Sequence, residues 1–350
     1  MQAGTRLVVN KQVFLDNLSL CMQKMTVIGP QKLRGGEVTF GPLRSLRRLT
    51  LDYVNDLDPL KRFFLPQREV LFAYDLSGKK PRLLQPEQEK PRLLFGIRSC
   101  DVQGLAHMDG FFQGACYDEL YWARRRNTLI ISMACNRPNE SCFCICCNGG
   151  PWLESGFDLQ LTDLGEEFLI DIGSRAGRVF LEERPMPAVT ASRRHETRRR
   201  ELMEACDAQM VPTAYLAKAC IQITNNRVRE ELWEEMGSEC FSCGGCTHVC
   251  PCCTCFDVVD CPEGAKSGTR VRCWDSCQYS GFTREASGHN PRARAKERVK
   301  RRFYHKLSYA YIQQDGHPGC VGCGRCITVC EAFGLLDISA VVKRLRRDGQ

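Results

Sequence analysis

Two cysteine runs constrain this chain more than any other feature. Both follow the spacing C-x2-C-x2-C-x3-C. The first run holds Cys240, Cys243, Cys246 and Cys250, and a proline follows it. The second run holds Cys320, Cys323, Cys326 and Cys330. With this spacing, a tight loop wraps three corners of an iron–sulfur cube, and small residues let the backbone approach the sulfides.

The fourth cysteine of each run lies beyond its loop, and in two-cluster proteins such a cysteine ligates the other cube. The spacing therefore predicts two [4Fe–4S] clusters with crossed ligation. One cluster takes Cys240, Cys243, Cys246 and Cys330. The other takes Cys320, Cys323, Cys326 and Cys250. Zinc is the alternative, but zinc sites usually pair two C-x2-C motifs across a long loop.

The length and composition describe an ordinary globular chain. Its 350 residues are enough for roughly two or three domains. No apolar run reaches membrane-spanning length, so we expect no membrane insertion. The start lacks the apolar stretch of a signal peptide, and we therefore expect a cytoplasmic protein. In that compartment the 24 cysteines favour metal sites over disulfides.

The formal charge of +8 does not favour a nucleic-acid partner. A cube with four thiolates carries about −2, so three cubes would leave a net charge of roughly +2. The arginine-rich segment between Ala191 and Cys206 is typical of a solvated helix face. A second basic helix is predicted from Pro291 to Ile312. Its basic side chains support the reduced clusters, face an acidic partner or form another solvated face.

The pattern of apolar segments predicts an α+β fold. An α/β domain is expected over 1–185, a helical connector over 186–235, and a mostly helical ferredoxin-like domain over 236–350. Within the first domain, buried strands are expected at Arg92–Ile97 and Thr128–Met133, and a β-hairpin over 157–182.

Both of these strands run into cysteine-bearing loops, which places the loops at one edge of the sheet. Four thiols follow: Cys100, Cys135, Cys142 and Cys144. They either hold a third [4Fe–4S] cluster or pack as free buried thiols. In an extended segment, Phe143 would leave its two cysteine neighbours on one side. In such a segment Cys146 would share that side and is the first substitute ligand, whereas Cys147 would face away. The sequence leaves the final roles of eight cysteines open, and they are Cys146, Cys147, Cys252, Cys253, Cys255, Cys261, Cys273 and Cys277.

Several segments together resemble one family, the iron–sulfur subunits represented by sulfhydrogenase beta subunits and by the iron–sulfur subunit of anaerobic sulfite reductase. The segments are Gly96–Asp101, Cys135 with Cys142–Cys144, Cys240–Cys255, Trp274–Gln278 and Gly288–Arg292. The likeness extends over nearly the whole chain. The chain departs from the family at Ser99 and Glu331, where proline is common, and at the additional cysteines of 145–150.

The resemblance implies an electron-transfer subunit of a larger redox complex. Its partners would be other subunits, including a catalytic subunit such as a hydrogenase, a sulfite reductase or a heterodisulfide-reductase-like protein, together with a flavin subunit. One alternative is a sulfur-compound or disulfide reductase that uses the surplus cysteines beside a cluster. The other is a zinc-dependent nucleic-acid-binding module built on the arginine-rich helices.

Overall fold

The structure, a computed structural model, describes residues 6–86, 90–114, 117–210, 215–311, 316–332 and 334–348. Its strands are β1 (Leu7–Asn10), β2 (Thr26–Lys32), β3 (Val38–Pro42), β4 (Arg68–Asp75), β5 (Arg82–Leu84), β6 (Arg92–Ile97), β7 (Thr128–Met133), β8 (Leu159–Asp163), β9 (Glu167–Ile172), β10 (Val189–Thr190), β11 (Phe256–Pro262) and β12 (Ser267–Trp274). Its α-helices are α1 (Lys11–Cys21), α2 (Ser99–Phe112), α3 (Glu119–Arg126), α4 (Arg175–Glu182), α5 (Arg193–Gln209), α6 (Leu216–Thr224), α7 (Glu230–Glu239), α8 (Gly245–His248), α9 (Ala295–Leu307), α10 (Arg325–Thr328) and α11 (Ile338–Arg347).

The larger sheet has eight strands in the order β10-β1-β9-β8-β7-β6-β2-β3. Its centre is parallel, because β2, β6, β7 and β8 run in one direction. The apolar run of β6 is buried on both faces, as expected for a central parallel strand. Since β6 and β7 are parallel neighbours, their carboxyl ends meet at one edge. That edge supports the first two cysteines of the predicted third site.

The smaller sheet is antiparallel, with the order β11-β12-β4-β5. It joins a hairpin from the C-terminal part of the chain to β4 from the N-terminal part, through pairs such as Cys273 with Arg68. The segment 236–350 thus combines helices with this hairpin and is not helical throughout. The domain limits at 185 and 235 stay predictions, and one sheet contains strands from both sides of them.

The prediction of a β-hairpin over 157–182 is correct only for the first part of this segment. Strands β8 and β9 pair antiparallel, but α4 follows where a returning strand was expected. The Ser174 hydroxyl accepts a hydrogen bond from the Gly177 amide at 3.0 Å and caps this helix. A second correction concerns Pro30–Gly41, whose pattern predicts a loop, because this segment contains the end of β2 and most of β3.

The two helices predicted from the basic segments are present as α5 and α9, although α9 ends at Leu307. Ile312, the predicted end, lies outside the described residues. The α9 helix turns several of its basic side chains inward, and Arg298, Arg302 and Lys306 are buried. Helix α5 differs, because its charged residues are at least partly exposed and Cys206 is its one buried residue. Among the described residues, no helix is both long and apolar enough to cross a membrane.

Candidate iron–sulfur sites

The two cysteine loops share one local fold. In each loop a glycine with positive φ precedes a one-turn helix: Gly244 (φ 75°) precedes α8, and Gly324 (φ 74°) precedes α10. A Cβ atom at Gly244 would lie 2.7 Å from the Tyr279 ring, so the site also requires glycine for space. The three cysteines of the first loop line one cavity beside this turn.

One cavity, here called site A, collects the three cysteines of the first loop and the last cysteine of the second run. These four thiols are Cys240, Cys243, Cys246 and Cys330, and Cys326 of the second loop also lines the cavity. Burial raises the pKa of Cys246 to about 11. The Arg302 guanidinium opposes this rise in the pKa. The arrangement agrees with the crossed ligand set predicted from the sequence, which remains a proposal.

Site B is the corresponding group around the second loop. Burial raises the pKa of Cys326 well above its ordinary value. Neighbouring thiols raise that pKa further, and they are Cys320, Cys323 and Cys250. The Lys306 ammonium donates a hydrogen bond to the Cys250 sulfur at 3.3 Å and another to the Gly319 carbonyl at 2.7 Å. Cys250 therefore lies beside the second loop, and its thiol also contacts Cys252 and Cys253 of its own segment.

A third cavity, site C, lies at the sheet edge where β6 and β7 end. The four predicted thiols line it, and they are Cys100, Cys135, Cys142 and Cys144. A fifth thiol, Cys206 on α5, also lines it and is fully buried. Sequence reasoning missed Cys206 because a single cysteine has no spacing signal. Its position in an otherwise charged helix was the one available hint.

Buried cations lie beside all three sites. Arg302 lines site A, and Lys306 contacts site B. The Arg98 guanidinium lies near Cys135 and donates a hydrogen bond to the Ala134 carbonyl at 3.1 Å. Arg325 reaches within 3.8 Å of the Cys100 sulfur. Positive charges in these positions compensate the negative charge that thiolate-ligated clusters bring into a protein interior.

Site B and site C are in direct contact. The Phe143 amide donates a hydrogen bond to the Gly322 carbonyl at 2.8 Å. A Cβ atom at Gly322 would lie 2.5 Å from the Cys144 Cα, so the two loops pack backbone to backbone. Cys323 of site B also reaches the wall of site C, and Cys326 reaches the wall of site A.

The eight thiols whose roles the sequence leaves open fall into three groups. Cys146 and Cys147 lie in a 3₁₀ turn over Cys144–Cys147 rather than in an extended segment. The thiol of Cys147 hydrogen-bonds to Cys320, which lowers the pKa of Cys320. Cys261 and Cys273 lie on β11 and β12.

The third group lines a separate cavity of about 550 Å³, here called the thiol cavity. Its cysteines are Cys252, Cys253, Cys255 and Cys277. A hydrogen bond from the Cys255 thiol lowers the pKa of Cys277 to about 6, and the Gln278 amide acts in the same direction. Burial lowers the pKa of His305 in the cavity wall to about 4, so its imidazole is neutral at pH 7.

The chemistry of the donors fits iron–sulfur clusters. Sites A and C each present four or more thiols to one cavity, and thiolates are the ligands of these clusters. Within the described ranges, no three His, Cys, Asp or Glu side chains converge closely enough to hold a single metal ion.

Comparison with known proteins agrees with this chemistry. Residues 239–333 match the family described as a 4Fe-4S dicluster domain, which contains both cysteine runs. No solved structure matches the chain. The fold and the thiol sites therefore define an iron–sulfur protein whose dicluster domain implies [4Fe–4S] clusters. The sulfhydrogenase 2 subunit beta of Pyrococcus furiosus is 30% identical over 308 residues, which are 87% of this chain and 88% of the relative. The chain belongs to the family of sulfhydrogenase beta subunits, as its motifs indicated.

Proposed function

We propose that the chain is an electron-transfer subunit of a cytoplasmic anaerobic redox complex. Its [4Fe–4S] clusters would relay electrons and so link a flavin or other partner subunit to a catalytic subunit. The position of the loop Cys320–Cys326 carries this proposal. One of its cysteines, Cys326, reaches the wall of site A, and another, Cys323, reaches the wall of site C. This arrangement supports a row of three carriers with site B in the middle.

The chain's own residues would bury the carriers and balance their charge. When bound, [4Fe–4S] clusters supply one-electron transfer at potentials that their surroundings set. Arg302 and Lys306 turn inward from α9. Other cations of the same helix form ion pairs within the chain, such as Lys300 with Glu230 at 2.6 Å. Inward cations favour the reduced, more negative state of a cluster, so they support the buttressing role predicted for this helix.

Site A would be the end of the row that meets a partner. Cys243 is exposed, and the neighbouring Phe241 side chain is 72% exposed. An exposed aromatic beside a redox centre suits a protein interface, where such side chains are enriched. The relative in P. furiosus is named as a subunit, which supports a multi-subunit setting for this chain as well.

Single substitutions in the anaerobically purified protein test the crossed ligation. We expect Cys250→Ser to remove the same electron paramagnetic resonance signal as Cys320→Ser and to leave the signal that Cys240→Ser removes. Cys252→Ser is the matched control, because its thiol contacts Cys250 but lies outside both ligand sets. If Cys250→Ser instead removed the signal that depends on Cys240, the crossing would be wrong.

A second measurement tests the role in a complex. We expect partner subunits to co-purify under anaerobic conditions, and the isolated chain to reduce no natural substrate. Phe241→Ala should slow electron exchange with the partner while the cluster signals stay unchanged. Robust sulfite, disulfide or hydrogen turnover by the isolated chain would instead favour the alternative, a sulfur-compound or disulfide reductase. The thiol cavity is the observation that supports this alternative.

A further inference from the structure

Two cysteines of the thiol cavity, Cys255 and Cys277, are held side by side at the open end of a hairpin. Cys255 directly precedes β11, and Cys277 follows closely after β12. Phe256 and Trp274 form the last strand pair at this open end, directly beside the two cysteines. The Asp275 amide then donates a hydrogen bond to the Cys255 carbonyl at 3.0 Å. The thiol of Cys255 in turn hydrogen-bonds to the Cys277 sulfur.

The sulfur of Cys277 lies close to site A. The Gln278 side-chain amide nitrogen lies 3.4 Å from the Cys277 sulfur, and its oxygen accepts from the Cys240 thiol at 3.8 Å. One amide thus bridges a cysteine of the thiol cavity and a cysteine of site A. The Arg302 side chain lines both cavities and so forms part of the wall between them.

The walls of the cavity favour an anion. The cations Arg292, Arg302 and Lys306 line it, and none of the described residues lining it is acidic. Aromatic side chains, among them Phe111 and Phe282, form the rest of the wall and suit an apolar segment of the ligand.

We propose that Cys255 and Cys277 form a redox-active dithiol, and that the thiol cavity binds a small disulfide that bears carboxylates. The volume of about 550 Å³ is in the range of small-molecule sites. The proposal rests on the proposed function, because the electrons that restore the dithiol would arrive through the clusters. Without a partner that supplies electrons, the isolated chain would react with a disulfide once and would not turn it over.

The exchange proceeds in two steps. The Cys277 thiolate attacks one sulfur of the bound disulfide, forms a mixed disulfide and releases the first thiolate. The Cys255 sulfur then attacks Cys277, and this step forms the Cys255–Cys277 disulfide and releases the second half of the substrate as a thiol. Reduction of this disulfide takes two electrons and two protons, which gives back both thiols.

Mass spectrometry after thiol blocking tests the exchange on the anaerobic, iron-loaded full chain. Glutathione disulfide serves as the anionic probe and cystamine as the cationic control. We expect the Cys255–Cys277 disulfide in the native sequence and a glutathione adduct on Cys277 in Cys255→Ser. Electrostatic attraction should make the reaction with glutathione disulfide about tenfold faster than with cystamine, and added salt should reduce the difference.

Three controls separate this inference from the proposed function. Cys261→Ser, on the hairpin but outside the cavity, should react like the native sequence. Iron content and the dithionite-reduced cluster signals should stay unchanged in Cys255→Ser and Cys277→Ser, since neither residue is a proposed ligand. An unmodified Cys277 with intact clusters would overturn the dithiol while leaving electron transfer in place. Loss of iron in Cys277→Ser would overturn it too, because Cys277 would then be a cluster ligand.

Discussion

The Arg325 guanidinium lies 2.7 Å from the Asp101 carboxylate, and both side chains are buried. Arg325 begins α10 in the second cysteine loop, and Asp101 lies in the first turn of α2 beside Cys100. The same guanidinium reaches within 3.8 Å of the Cys100 sulfur. This one ion pair therefore joins site B to site C.

Removal of one partner of this ion pair should destabilise the folded protein. Arg325→Met leaves the Asp101 carboxylate buried without its cation, and we expect a loss of about 3–5 kcal/mol in the free energy of unfolding. The double variant Arg325→Met/Asp101→Leu removes both charges and should recover much of that loss. Denaturant unfolding under anaerobic conditions measures both variants. Additive losses in the double variant would show that the pair does not act as a unit.

Arg302 should raise the reduction potential of the cluster in site A. Burial works against its charge, but the neighbouring thiolates, Cys246 first, hold its pKa well above the ordinary value. Arg302→Gln removes a cation that favours the reduced cluster, so we expect the potential to fall by on the order of 50–100 mV. Lys300→Gln is the control, because Lys300 lies on the same helix and pairs with Glu230. A potentiometric titration that finds equal shifts in both variants would contradict this role.

The contact between the second loop and site C should depend on Gly322. Alanine there adds a Cβ atom 2.5 Å from the Cys144 Cα at a φ of 63°. Gly288→Ala is the control, since Gly288 also has a positive φ of 84° but no described atom beyond its chain neighbours within 4 Å of the added Cβ. We expect Gly322→Ala to lose at least about 2 kcal/mol more than the control and to lose iron from site C. Equal stability of the two variants would show that this packing is unimportant.

The parts of the fold that follow local rules were predictable. Fixed cysteine spacing indicated the two loops, and apolar runs bounded by turns indicated β6 and β7, whose parallel pairing places Cys100 and Cys135 at one edge. The sheet between β12 and β4 was not predictable, because its partners are far apart in the chain and share no pattern. Helix α4 was mistaken for a strand, since a short amphipathic segment fits both periods.

The candidate sites also combine features that local sequence predicts with features that depend on tertiary packing. The ligand sets proposed for site A and site B were predicted from motif spacing alone, and they stay predictions. Cys206 and the pair of Cys255 with Cys277 depend on which helix or hairpin packs beside a loop, and this is decided by tertiary structure. The sequence left the inward orientation of Arg302 and Lys306 open beside an acidic partner and a solvated face, because charge runs usually mark solvated faces.

Iron and acid-labile sulfide analysis of the anaerobically purified chain tests the central claim most directly. Three [4Fe–4S] clusters predict about twelve iron and twelve sulfide per chain. Cys135→Ala should lower both to about eight, while Cys206→Ala, which alters the fifth thiol of site C, should leave them near twelve. About eight of each in the native sequence, with both dicluster signals intact, would make the thiols of site C free and contradict the row of three carriers.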